Sequence, residues 1–221
     1  MARLKLTLVA LCIALTFSAL ATNAALAEWY VAGAKLAAGS KVAFASTASA
    51  NTATIISIPT LGFTVTCTSK GIQAKQAEIL GPNIIKTQGL LFEGCEGSIH
   101  TCPTEPTVAT QPLTGLVTRS SKSEDRVTFS PQTKGVFLGI RFKEATGCVL
   151  EGTTWPISGE VTFGAPPGIL EERQAQAIEY LGTTENNSLE GSSLEVAHDK
   201  VYLTGGNILL ALASHSKWSF H

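Results

Sequence analysis

Leu61-Gly62-Phe63-Thr64-Val65-Thr66-Cys67-Thr68 sets Leu61, Phe63, Val65 and Cys67 against Gly62 and three threonines with a period of two. Successive side chains of an extended chain point to opposite faces, so this stretch reads as a half-buried β-strand with Cys67 on its inner side. The alternation returns in Val136, Leu138, Ile140 and Phe142 against Phe137, Gly139, Arg141 and Lys143. It returns again in Ile157, Gly159, Val161 and Phe163 against Ser158, Glu160 and Thr162. Shorter candidates lie at 42–45, 54–58, 90–92, 113–118, 126–129, 194–196, 200–204 and 207–213. Turn signals separate them: Gly81-Pro82-Asn83, Cys102-Pro103, Ser130-Pro131, Ala165-Pro166-Pro167-Gly168 and Gly205-Gly206. Many short strands so spaced predict an all-β protein, an antiparallel β-sandwich or a barrel-like fold.

One segment is ambiguous. Residues 169–181 hold the helix formers Glu171, Glu172, Arg173 and Gln174, with Gly182 as a stop, yet 174–181 also alternates. The β surroundings favour a strand. The prolines before it mark a possible sub-boundary near 165–170.

Residues 1–27 have the layout of a secretory leader. A basic start (Arg3, Lys5) is followed by an apolar run from Leu6 to Phe17, and Ala25-Leu26-Ala27 precedes Glu28. Cleavage after Ala27 is expected, leaving one β-rich domain over 28–221. A bilayer-spanning helix needs about 20 apolar residues, and Thr16, Ser18, Thr22 and Asn23 interrupt this run. The later stretch 208–213 is too short, so no membrane span is expected in the mature chain. Removing Arg3 and Lys5 takes the balance from 16 basic against 17 acidic residues to 14 against 17, a net charge of −3. No basic patch interleaved with aromatics is present, so nucleic acid is not an expected partner. Charged residues make up only 15% of the chain, which suits strands and turns better than helices with wet charged faces.

Export places the chain where cysteines pair. The four mature cysteines are Cys67, Cys95, Cys102 and Cys148, and none has a second ligand at zinc-site spacing, so two disulfides are expected and no metal site. Loop entropy does not choose among the three connectivities, because the totals agree within about 1 kcal/mol. Gly94, Gly97 and Pro103 could close a tight loop, which favours Cys95 with Cys102 and leaves Cys67 for Cys148.

Taken in order, Glu28-Trp29-Tyr30, Thr64-Val65-Thr66-Cys67, Phe92-Glu93-Gly94-Cys95, Cys102, Cys148, Leu212-Ala213-Ser214 and Trp218 resemble a group of bacterial secreted proteins of unknown function. The resemblance implies a disulfide-containing, mostly β exported protein and carries no activity.

Gly-x-Ser-x-Gly, His-Glu-x-x-His and the phosphate-cradling Gly-x-x-x-x-Gly-Lys pattern are all absent from the sequence. His198-Asp199 is the one local acid–base hint and reads as a polar turn, since neighbours on a strand face opposite ways. Glu124-Asp125 and Glu171-Glu172 read as wet surface. No catalytic residue and no cofactor is therefore expected. Three tryptophans, Trp29, Trp155 and Trp218, could stack on sugar rings or, near the chain ends, plug the fold's open edges. Asn186-Asn187-Ser188 matches the glycosylation sequon. A faint self-similarity between 33–44 and 206–220 would make the two ends equivalent or adjacent strands. The function expected is a secreted or periplasmic, non-enzymatic β protein that meets a cell-envelope or extracellular protein or glycan. The alternatives are a carbohydrate-binding module and a secreted hydrolase with a site assembled from distant residues.

Overall fold

The structure is a computed structural model and describes residues 27–47, 53–119, 125–133, 135–164, 175–179 and 193–220. Leader residues 1–26, the 165–170 boundary, the sequon and most of 169–181 lie outside these. The described part of that last segment, Ala175–Glu179, is a strand.

Eight strands close a barrel in which every neighbour is antiparallel. Round the ring they are Lys41–Thr47, Glu78–Leu80, Ile84–Thr87, Leu113–Arg119, Asp125–Pro131, Val161–Gly164, Ala175–Glu179 and Asn207–Leu212, the last pairing back to the first. A second level of strands follows in the same order. Thr54–Ile58, Phe63–Lys75, Gly89–Gly97 and Thr107–Ala109 are laddered together, as are Val136–Arg141, Thr154–Ser158, Glu195–Val196 and Asp199–Lys200. The bridges Thr104–Phe142 and Thr110–Leu138 join the two sets, and Tyr202–Gly205 pairs back to Thr54–Ile58.

The orders agree because the chain runs from one level straight into the other. Phe63–Lys75 leads into Glu78–Leu80, Ile84–Thr87 into Gly89–Gly97, Thr154–Ser158 into Val161–Gly164, and Tyr202–Gly205 into Asn207–Leu212. Among the described residues the fold is thus an up-and-down meander whose staves pass through both levels. Glycine permits several of the bends. Gly159 has φ +107°, and a Cβ there would lie 2.0 Å from the Ser193 carbonyl oxygen. Gly205 and Gly206 also take positive φ, so this pair bends one stave where the sequence suggested a turn between two. Ser130-Pro131 behaves likewise, with Pro131 still paired to Leu113.

The inner faces carry the core: Phe44, Ile79, Ile85, Leu113, Val117, Val127, Phe129, Phe163, Leu210 and Leu212 are all buried. The alternation in 61–68 holds from Phe63 to Cys67. In 136–143 its first residue is out of phase: Val136 is 37% exposed and Phe137 is buried. The cause is a register shift against Thr154–Ser158 between Val136 and Leu138, a bulge that puts an extra residue into one strand.

The first and last described strands meet. Trp29–Val31 pairs with Ala34–Lys35 on one edge and with Trp218–Phe220 on the other. This brings Trp29 within 5.9 Å of the barrel residue Phe44, 5.5 Å of Trp218 and 5.0 Å of Phe220, ring centre to ring centre. The aromatic plug fills one mouth of the barrel. Of the two segments compared in the sequence, 33–44 and 206–220, the strands Lys41–Thr47 and Asn207–Leu212 are adjacent.

Cys67 is bonded to Cys95 and Cys102 to Cys148, which corrects the pairing favoured by loop geometry. Cys67 and Cys95 face each other directly across the ladder. The Cys95 N–H donates to the Pro106 carbonyl on the other side (3.0 Å). This is therefore a non-hydrogen-bonded pair, the position where antiparallel strands bring side chains closest; the Cα atoms lie 3.9 Å apart.

Gly115 sets the tolerance of the barrel interior, because a Cβ there would sit 2.5 Å from Ile85 Cγ2 and 2.8 Å from Phe129 Cε1. Gly115→Ala is expected to destabilise the protein by about 1–3 kcal/mol through overpacking. Thr114→Ala on the outer face should change stability by less than about 0.5 kcal/mol. Denaturant titration of both variants checks the contrast.

Candidate functional site

Opposite the plug, four connections between neighbouring staves come to the same end of the meander: 59–62, 98–106, 142–153 and 197–198. The first is a single 3-10 turn closed by the Gly62 N–H on the Pro59 carbonyl (3.0 Å), with Gly62 in the left-handed region. The second is held to the strand beside it at two points. Ser98 N–H donates to the Thr64 carbonyl (2.8 Å), and Thr64 N–H donates to Ser98 Oγ (3.0 Å).

The second and third connections are fastened together. Glu105 N–H donates to the Arg141 carbonyl (2.9 Å) and Lys143 N–H to the Pro103 carbonyl (2.8 Å). Just beyond this short ladder the Cys102–Cys148 bridge joins the two loops, its Cα atoms 4.9 Å apart. From there the third loop folds as consecutive tight turns. Cys148 N–H donates to Ala145, Glu151 N–H to Cys148 and Thr153 N–H to Leu150, at 3.0, 3.2 and 3.0 Å. The Thr153 hydroxyl adds a 2.6 Å bond to the Leu150 carbonyl. Val149, held between buried Cys148 and half-buried Leu150, is 92% exposed. Leu61, at the tip of the first turn, is 49% exposed.

An aromatic floor lies beneath. Phe63 and Phe142 are buried, 5.6 Å apart, and Trp155 packs against them at 5.4 and 5.0 Å. Of the three tryptophans, Trp29 and Trp218 are fully buried in the plug and offer no face to a ligand, while Trp155 is partly exposed. Any sugar-stacking role falls to Trp155 alone.

His198 and Ala197 form the tip of the fourth connection, both at positive φ, between Val196 and its partner Asp199. His198 and His100 are exposed on different loops, and His215 is exposed in the connection between Asn207–Leu212 and Trp218–Phe220. Among the described residues no group of three or more His, Cys, Asp or Glu could hold a metal ion. Asp125 begins a barrel strand, and Glu124, Glu171 and Glu172 lie outside the described residues. Sequence reasoning missed Val149: one valine beside a cysteine carries no periodic signal, and its exposure follows from the turns that Cys148 anchors.

Comparison with protein-family models, with curated proteins and with solved structures returns no match.

Replacing Cys102 and Cys148 together by serine removes the fastening between the two loops. A loss of about 2–5 kcal/mol is expected. Val149→Asp, which touches no core contact, should leave stability within about 0.5 kcal/mol of the parent. Chemical denaturation of the oxidised proteins measures both.

Proposed function

We propose that this chain is an exported, non-enzymatic β-barrel that works by presenting the loops of its disulfide end to a partner of the cell envelope or the extracellular space. The observation that carries this reading is the combination at residues 143–153: a disulfide, a ladder and successive turns hold in place a loop whose tip, Val149, touches almost nothing of its own chain. A rigid scaffold with ordered loops at one end is a common way to build a recognition surface, and apolar groups within it supply contact area.

The barrel wall supports a water-facing protein. On Leu113–Arg119 and Asp125–Pro131, Thr114, Thr118, Thr128 and Ser130 point outward while Leu113, Val117, Val127 and Phe129 fill the interior; Leu116, beside Ile84, is the apolar exception on this wall. A barrel that sits in lipid shows the reverse, an apolar band outside. Among the described residues no helix is long and apolar enough to cross a membrane. The two buried disulfides fit an oxidising compartment.

Photocrosslinking tests the assignment. A photoreactive residue at Val149 is expected to capture a discrete species from the native extracellular or envelope fraction, and the same residue at Leu116 on the barrel wall is not. Equal labelling at both positions, or labelling at Leu116 alone, contradicts the proposal. On a glycan array, signal that disappears with Trp155→Ala but survives Val149→Asp would replace it with the carbohydrate-binding reading.

A further inference from the structure

The disulfide end of the barrel has a shape that limits what can sit against it. Round the ring of staves the four connections follow in the order 59–62, 98–106, 142–153 and 197–198, so the first and third stand opposite each other across the mouth. Each of these two carries an apolar side chain outward, Leu61 at 49% exposure and Val149 at 92%. Both tips are held by closed turns. Gly62 N–H on the Pro59 carbonyl closes the first, and Glu151 N–H on the Cys148 carbonyl (3.2 Å) closes the one that bears Val149. The first connection also lies against Asp199–Lys200 beside it. Trp155, partly exposed, sits just inside the third connection, 5.4 Å from Phe63 at the start of the strand that leaves the first. The four connections carry Glu105, Glu144 and Glu151 against Lys143, with His100 and His198 neutral at pH 7, so nothing there draws in an anionic surface.

We propose that the partner of this end is the surface of a lipid bilayer of low net charge, into whose interface Leu61 and Val149 dip while the barrel stays in water. A folded protein would have to supply two matched apolar recesses on opposite sides of the mouth, whereas a bilayer interface is broad and deforms to receive both tips. An indole just behind the tips is the side chain that suits the level where hydrocarbon gives way to headgroups. With no attraction to anionic lipid, the contact draws on buried apolar area. The inference rests on the reading of this end as the one that meets the envelope and names what it meets there.

Fluorescence on vesicles of brominated phosphatidylcholine tests it with the full chain, because bromine on the acyl chains quenches an indole that reaches them. Val149→Trp is expected to lose about half of its added emission on brominated relative to plain vesicles, and Leu116→Trp on the barrel wall to lose none. Both variants carry the same residues 1–27, so any binding by the leader is common to the two. Adding Leu61→Asp to Val149→Trp should cut the quenching at least about twofold, since a charged tip resists entry. Replacing part of the phosphatidylcholine by phosphatidylglycerol should not increase it. Equal quenching at positions 149 and 116, or none at 149, overturns the inference. If there is none at 149 and photocrosslinking at Val149 still captures a protein, that protein is the partner and the presentation reading stands; if both measurements fail, both readings fall.

Discussion

Closure of the sheet on itself is the constraint from which the remaining features follow. An open antiparallel sheet leaves unpaired N–H and C=O groups along two edges; a closed one leaves none, and has two mouths instead. The closing pair here is Lys41–Thr47 with Asn207–Leu212, from opposite ends of the chain. That pairing makes a continuous apolar interior, and an apolar interior must be covered at both mouths. The termini cover one with Trp29, Trp218 and Phe220, and the loops tied by Cys102–Cys148 cover the other above Phe63, Phe142 and Trp155. The two ends are built differently. One is a sheet sealed by burial of large rings; the other is irregular backbone fixed by a covalent bond and short turns.

The proposed function rests on this difference. A mouth closed by tryptophans turned inward has little left to offer a ligand. A mouth closed by loops needs only some of their residues for closure and can present the rest. Cys148 and Leu150 face down and Val149 faces up, on three consecutive residues of one loop. The disulfide lets so short a segment hold that geometry without a core of its own.

Period-two patterning made the fold class legible. Phe63 to Cys67 stands in the sequence as it stands in the barrel, because side-chain direction on a strand is a local property. What could not be read locally was wrong or open. The bulge at Val136 arises from pairing with Thr154–Ser158, and nothing near Val136 announces it. Gly205-Gly206 looks like a turn from composition, but whether two glycines reverse a chain or bend it depends on where the next strand finds its partner. The disulfides failed for the same reason. Cys67 and Cys95 are opposite each other through the register of strands separated by an excursion into the lower barrel, Glu78–Leu80 and Ile84–Thr87, and that register is a tertiary fact. Of the candidate site, Cys102 and Cys148 were legible as disulfide cysteines, though not their pairing. The loop tip was not, since exposure of a single valine has no sequence signature.

Cross-strand NMR contacts at the closing seam test the account most directly. Closure predicts Hα–Hα or amide contacts between Ala45 and Ala211, and between Trp29 and Phe220 in the plug, from residues paired in the ladders described. Finding both sets establishes the closed, plugged barrel on which the assignment of the two ends depends. If Lys41–Thr47 and Asn207–Leu212 show contacts only with their other neighbours, the sheet is open and the account is wrong.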